Sequence, residues 1–381
     1  MTFLIIASYL PSVLNFRGKL LEAIAQRNIE IHILTPDLDI FPDEVKQLRQ
    51  LGYILHEIPM QRTGTNPIAD LKTLLAIYRI SKKIKPEYML AYTIKPVIYG
   101  GLATWLASVP HRYSLITGLG YAFQNVEENG GQRSFFQKIV HALYEQSLKH
   151  SHKVFFQNPD DLKLFQDLKL IHDKVPTIVV NGSGVNISEF DVVPLPYDDL
   201  QQFKVSFLLI ARLLIDKGIR EYAEAAKQLK QKYPYVEFHL VGWIDENPTA
   251  IRKAELDQWV ADGRLKFWGK LADVRPAISA CSVYVLPSYR EGMPRTVLEA
   301  MAMGRAIITT DAPGCRETVV DGENGFLIEV KSVDSLVQAM EKMIIQPRLV
   351  SIMGQQSREI ALNKYDVHQV NQHMMREMGL I

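Results

Sequence analysis

Two cations five residues apart, Arg212 and Lys217, stand where the apolar run "FLLIAR" gives way to "LLIDKGIREY", a segment of helical period that opens at Gly218. A cation closing a strand, a second before a helix and a glycine at the helix entrance would surround an anion with charge and backbone N–H groups. In outline this is a diphosphate site. A solvent-facing Arg and Lys in an ordinary βα loop fits the same spacing.

The second constellation lies in "YREGMPRTVLEAMAMGRAIITT", residues 289 to 310. Pro294 suits a first helical turn, where its missing N–H costs nothing. Glu291, Gly292 and Met293 then form an approach loop that exposes backbone donors at the helix N-terminus. Glu299 falls a little over one turn further on, among Val297, Leu298, Ala300, Met301 and Ala302. Burying an unpaired carboxylate is expensive, so Glu299 requires either water on an exposed face or a partner. A vicinal diol such as a ribose could donate two hydrogen bonds to it.

These residues need a frame, and the chain supplies one by alternation. Short β-branched runs ("TFLIIAS", "EIHILTP", "YILHEIP") interleave with segments of helical period ("FRGKLLEAIAQ", "DEVKQLRQLG"), the signature of a doubly wound parallel α/β sheet. The apolar N-terminus reads as the first strand rather than a leader, since it lacks a basic region and a small-residue cleavage site. Around 174 to 204 the rhythm breaks in a Gly-, Pro-, Asn- and Asp-rich stretch, and after "KVSFLLIAR" it resumes. Two Rossmann-like domains are expected, residues 1–190 and 191–364, with 365–381 a terminal helix crossing back to the first. The C-terminal helices should break at Pro347 and near Tyr365. Open α/β sheets bind ligands beyond the carboxyl ends of their strands, so a cleft between the domains is the expected site.

Composition limits the function. At 381 residues the chain is long enough for two ordinary cores. Its 43 Lys+Arg against 42 Asp+Glu argue against a protein devoted to nucleic acid, so basic surface must be local. Two cysteines, Cys281 and Cys315, make no disulfide framework and read as core residues. No apolar stretch reaches the length needed to cross a bilayer, which points to a cytoplasmic protein or one lying on a membrane surface. A candidate for that contact is the stretch 130–153, where apolar residues from Phe135 to Tyr144 recur at helical spacing among Arg133, Lys138, Lys149 and Lys153. Packing of that stripe on its own sheet is the other reading. Basic "RISKKIK" at 79–85 reads as a solvated helix end.

Arg212, Lys217, the Glu291/Glu299 spacing and the trailing "AMGRAIITTDAPGCRETVVDGENGFLIE" together resemble the retaining nucleotide-sugar glycosyltransferases of family 4, which have the two-domain GT-B fold. "NFRGKLLEAIAQRNIEIHILTP" is similar to that family's first βαβ unit, with Gly18 near the start of the helix, and "NGSGVNISEF" to its interdomain strand and turn. The resemblance implies a first domain on the acceptor side and a second that binds the donor. Arg212 and Lys217 would neutralise the diphosphate, with Gly18 also at the donor, and Glu299 would hold the ribose. Glu291, with the backbone at Gly292, Met293, Pro294 and Arg295, would address the donor sugar. It implies no cofactor and no metal. Asp37-Leu38-Asp39, a D-x-D, is therefore expected to be a loop and helix cap.

A narrower resemblance, carried by "YTIKPVIYGGLATWLASVPHRYSLITGLGYAF" and "VGWIDENP", is to bacterial enzymes extending undecaprenyl-diphosphate-linked glycans, N-acetylgalactosaminyltransferases among them. It implies a UDP-sugar donor, a lipid-linked saccharide acceptor, and a place on the anionic cytoplasmic face of the inner membrane, in capsule, O-antigen or glycoprotein-glycan assembly. Many family members place a His after the strand matching "RYSLIT"; here stand Thr117, Gly118, Leu119 and Gly120. Thr117, Gly118 and Gly120, with Lys95 at a strand end and Arg17 in the first βα loop, are the acceptor-side candidates. A sugar-nucleotide epimerase or hydrolase on the same frame, and a non-catalytic sugar-nucleotide-binding subunit, are the competing readings.

Overall fold

The computed structural model describes residues 1–381 except 62–65, 120–122, 124–134, 197–202, 204, 246 and 248, and except the side chains of 135 and 136. Two compact units emerge, one of residues 1–183 with 370–381 and one of 184–369. The sequence boundaries of 190 and 364 lie seven and five residues from these.

In the first unit seven described strands, β1 (Thr2–Ile6), β2 (Glu30–Thr35), β3 (Ile54–Glu57), β4 (Tyr88–Tyr92), β5 (His111–Ile116), β6 (Lys153–Phe156) and β7 (Thr177–Val179), pair in parallel in the order β3-β2-β1-β4-β5-β6-β7. The helices are α1 (Leu10–Ala25), α2 (Pro42–Gln50), α3 (Pro67–Ile84), α4 (Gly101–Leu106), α5 (Phe135–Leu148) and α6 (Pro159–Asp167). β1 shows why both faces are covered. Phe3 and Ile5 join the core formed with α1 and α2, whereas Leu4 and Ile6 join the one formed with α3 to α6. A strand apolar at every position is stable only between two helical layers.

The second unit repeats the plan with β8 (Ser206–Ile210), β9 (Glu237–Val241), β10 (Lys266–Phe267), β11 (Val283–Leu286), β12 (Ala306–Thr310) and β13 (Gly325–Ile328), parallel in the order β10-β9-β8-β11-β12-β13. Its helices are α7 (Ile219–Lys232), α8 (Lys253–Ala261), α9 (Arg275–Ser279), α10 (Arg295–Ala302), α11 (Val333–Ile345) and α12 (Pro347–Ile360). In β8, Phe207 and Leu209 face one core and Leu208 and Ile210 the other. A π-helical turn at Ala361–Tyr365 separates α12 from α13 (Val367–Glu377). The chain end is held within the first unit, where Met374, Met375 and Met378 are buried, Tyr113 Oη donates to the Met378 carbonyl (2.6 Å) and Lys153 pairs with Glu377 (2.6 Å).

Several local expectations need correction. The first strand stops at Ile6 and α1 already begins at Leu10, so Arg17 and Gly18 lie two turns inside the helix, not in the βα loop or at the helix start. Leu10, Pro11 and Val13 are buried on that helix, and an apolar run alone does not separate a strand from a buried helix start. Lys95 does not end a strand: β4 stops at Tyr92, and Lys95 opens the π-helical turn Pro96–Gly100. Asp37 and Asp39 lie in a loop, but α2 is entered through Phe41 with no side-chain cap. In the 130–153 stretch, Val140, Tyr144 and Leu148 pack in the core while Ile139 is exposed. Arg133 lies outside the described residues.

Gly218 sits at φ +69°, and a Cβ there would lie 2.2 Å from the Pro287 carbonyl oxygen. Gly52 has φ +82° with open space around it. Gly52→Ala should cost about 1 kcal/mol of unfolding free energy from backbone strain alone, and Gly218→Ala about 3 kcal/mol because Pro287 must also move. Urea unfolding of the two variants separates the terms; equal losses would mean the close approach is unimportant.

Candidate active site

The carboxyl end of β8 delivers Arg212 two residues past Ile210, and its Nη1 lies 3.2 Å from the Asp245 carboxylate in the segment after β9. These two segments run close together at Gly242, where a Cβ would lie 2.0 Å from the Ala211 carbonyl oxygen. Arg212 remains part-exposed, able to reorient toward a ligand without leaving a buried carboxylate behind.

Lys217 is placed differently. It ends a 3-10 turn, Ile215–Lys217, and its Nζ lies 2.6 Å from Glu291 Oε1, with both side chains largely buried. Burial, the largest influence on the ammonium, works to lower its pKa. The Glu291 carboxylate, through charge and hydrogen bond, overcomes that and leaves Lys217 above its ordinary value. Lys217 is therefore a fixed, fully charged cation at neutral pH.

The loop carrying Glu291 is fastened on two sides by backbone. Tyr289 N donates to the Asp216 carbonyl (2.8 Å), as does Ser288 Oγ (3.1 Å), while Glu291 N donates to the Pro313 carbonyl (2.9 Å). Thr310 Oγ1 donates to the Ser288 carbonyl. Gly314, at φ +79°, lies so close that a Cβ would come within 2.2 Å of the Glu291 carbonyl oxygen. The loops after β8, β11 and β12 thus form one assembly. Pro294 is the half-helical residue before α10 rather than a member of its first turn, and supplies no side-chain cap. α10 has neither a side-chain cap nor an acidic residue in its first turn and so presents a positive end there, whereas the uncapped start of α7 carries Glu221 in its first turn.

Glu299 is 5% exposed. Its partner within the chain is Arg295 one turn upstream, Nε to Oε1 2.7 Å, and that guanidinium is itself part-exposed. Burial raises the carboxyl pKa and Arg295 opposes the shift without cancelling it. Other donors brought to this carboxylate would compete with Arg295 for it.

On the first unit, Arg17 is buried (2% exposed) with its guanidinium 5.4 Å from the centre of the Tyr92 ring, and burial lowers its pKa to about 10. No hydrogen-bond partner meets its Nε. Gly18 has room for a Cβ, as has Gly118, which follows β5 beside half-buried Thr117. Lys95 pairs with Asp70 (2.7 Å), which also accepts from Tyr99 Oη (2.8 Å). Gly120 lies outside the described residues. The structure thus joins Lys217 with Glu291 and Arg295 with Glu299. It adds Asp245, Asp216, Ser288, Pro313 and Gly314, which sequence reasoning missed because most act through backbone contacts; Asp245 in "VGWIDENP" stood in a quoted motif without a role.

Residues 204–346 match the family model described as glycosyl transferases group 1, and residues 12–158 match glycosyl transferase 4-like. The chain belongs to these glycosyltransferases. Over 374 residues it is 28% identical to the N,N'-diacetylbacillosaminyl-diphospho-undecaprenol alpha-1,3-N-acetylgalactosaminyltransferase of Campylobacter jejuni, covering 96% of this chain and 95% of that protein. It is 26% identical to the UDP-Gal:alpha-D-GlcNAc-diphosphoundecaprenol alpha-1,3-galactosyltransferase of Escherichia coli, covering 81% and 79%. The fold of this glycosyltransferase is GT-B. It is similar to sucrose-phosphate synthase from Thermosynechococcus elongatus (TM-score 0.79, 18% identity, 99% and 98% of the two chains). A crystal structure of Anabaena HepE in complex with UDP is comparably similar (TM-score 0.78, 18% identity, 100% of both chains).

The raised pKa of Glu299 gives the glycosyltransferase a testable pH dependence. A carboxyl whose pKa is higher folded than unfolded stabilises the fold fully below its unfolded pKa and loses that contribution as pH rises through the folded value. Relative to wild type, Glu299→Gln should therefore gain stability between pH 4 and 8, because Gln can still accept from Arg295 without burying a charge. Urea midpoints across that range test this; a difference independent of pH would show that burial does not control the group.

Proposed function

We propose that this glycosyltransferase moves a hexose or N-acetylhexosamine, with N-acetylgalactosamine the first donor sugar to test, from a UDP-sugar to a hydroxyl of an undecaprenyl-diphosphate-linked saccharide. The setting is assembly of a bacterial surface glycan or glycoprotein glycan. The buried Lys217–Glu291 pair, fastened where the loops after β8 and β11 meet, carries the reading. The pair fixes the Lys217 ammonium in place near the positive end of α10, a setting suited to a diphosphate. The acceptor class is supported by the near full-length similarity to the Campylobacter jejuni enzyme. Among the described residues no helix is long and apolar enough to cross a membrane, and we place the enzyme peripherally on the cytoplasmic face of the inner membrane.

In this reading Arg212 and Lys217 bind the diphosphate and Glu299 accepts hydrogen bonds from the ribose, releasing Arg295. Glu291 positions Lys217, and the backbone of Gly292 and Met293 meets the sugar. Transfer proceeds with retention. The acceptor hydroxyl attacks C1 from the face the diphosphate leaves, the C1–O bond to the diphosphate breaks, and a departing phosphate oxygen takes the proton. Negative charge grows on the leaving group, where Arg212 and Lys217 stabilise it, so no metal ion is required. Arg17, Lys95, Thr117 and Gly118 are the acceptor-side candidates.

Sugar nucleotides that raise the melting temperature identify the donor, and transfer to lipid-diphosphate sugars tests the reaction. Lys217→Ala and Arg212→Ala should each lower kcat by about 100-fold or more, with a smaller loss of donor affinity; unchanged turnover in both would end the proposal. Activity should survive EDTA, and the product should keep the donor's anomeric configuration by NMR. Rapid donor consumption without acceptor would instead favour a hydrolase or epimerase.

Glu291→Gln removes the carboxylate hydrogen-bonded to Lys217 and leaves Asp216 as the acid acting on the buried ammonium. The Lys217 pKa should then fall, and the alkaline loss of donor affinity should set in at a lower pH in the variant than in wild type. A titration of affinity against pH checks this, and coincident profiles would show that Glu291 does not hold Lys217 charged.

A further inference from the structure

α3 presents an outer face with no counterpart in the chemistry above. Ile68, Leu71 and Leu75 are 70%, 57% and 40% exposed, and Arg79 and Lys82 are exposed as well. At 100° per residue these five positions fall within a stripe about 80° wide. Its first half is aliphatic and its second half basic, with exposed Lys72 and Lys83 along one flank and Lys85 just beyond the helix. The helix contains one acid, Asp70, which is buried against Lys95. α4, packed beside α3, adds part-exposed Trp105 and Leu106. Apolar side chains scattered singly on a surface need no explanation, whereas three in register leading into a run of cations form a directed patch.

We propose that this face of α3 docks the enzyme on an anionic lipid surface, an inference that rests on the lipid-linked acceptor of the proposed function. Aliphatic residues enter the boundary between headgroups and acyl chains, and Lys and Arg meet anionic headgroups. Segregation of the two along the helix axis means that α3 approaches the bilayer N-terminal end first, with its basic turns at headgroup level. A nucleic acid fits poorly, since Ile and Leu offer no stacking surface to bases. A second copy of the chain would find no exposed acid on α3 to meet these cations. The 79–85 segment, which reads as a solvated helix end in the sequence, is on this account the electrostatic half of the contact.

The test is co-sedimentation of the full chain with vesicles of phosphatidylglycerol and phosphatidylcholine against vesicles of phosphatidylcholine alone. Wild type should bind the anionic vesicles preferentially and lose binding as salt rises. The combined variant Arg79→Gln, Lys82→Gln, Lys83→Gln should bind them roughly 100-fold more weakly at low salt, and Ile68→Ser, Leu71→Ser, Leu75→Ser about tenfold more weakly or worse. Both should keep wild-type melting temperatures and full transfer to a short-chain, detergent-dispersed acceptor while losing transfer to an acceptor embedded in vesicles. Unchanged vesicle binding in both variants, equal binding to neutral vesicles, or a wild-type dimer that the Ile68 variant dissociates would each overturn the proposal. Vesicle binding through α3 by a protein that transfers no sugar would sink the proposed function and leave this surface standing.

Discussion

Burying Lys217 requires a counter-charge within reach, and the second unit is built around supplying one. A desolvated ammonium left alone would lose its proton or pull water inward. Glu291 prevents both, but only because its loop is immobilised from two sides by carbonyls of Asp216 and Pro313 and by the close approach of Gly314. The ion pair therefore fixes the loop ends of β8, β11 and β12 relative to one another. Gly218 belongs to the same constraint, since the turn that delivers Lys217 must pass close to Pro287.

The other two pairs of the site obey a different balance. Arg212 with Asp245 and Glu299 with Arg295 each combine a more buried and a more exposed member. The first can open at little cost because both members stay partly hydrated, whereas the buried Glu299 carboxylate can give up Arg295 only as other donors replace it. The site thus joins one rigid, buried ion pair to one that opens at the surface and one whose buried carboxylate must be re-paired as it opens.

The frame that holds these groups follows from strands apolar on both faces. Alternate residues of β1 and β8 supply opposite cores, which commits the chain to helices on both sides of each sheet and pushes the functional residues to the loops at the strand ends. The same logic leaves helix outer faces for other uses. On α3 the inner residues Thr73, Ile77 and Ser81 are buried, and the outer positions are released from packing to carry aliphatic and basic side chains.

What the sequence determined by itself is what short-range pattern encodes. The βα alternation, the junction before Val205, the helix breaks at Pro347 and near Tyr365, and the candidates Arg212, Lys217, Glu291 and Glu299 were legible because each rests on periodicity, punctuation or a local motif. Short-range pattern failed where burial erased the contrast, as at the start of α1, where a core-facing helical turn reads like more strand and puts Arg17 in the wrong place. Only the tertiary structure decided who partners whom. Residues 217 and 291 are brought together by β8 and β11 lying side by side, and 291 meets 313 because β12 lies next to β11. Those contacts are set by strand order and by backbone carbonyls, which no residue type advertises, so a buried carboxylate could be recognised as needing a partner long before that partner could be named.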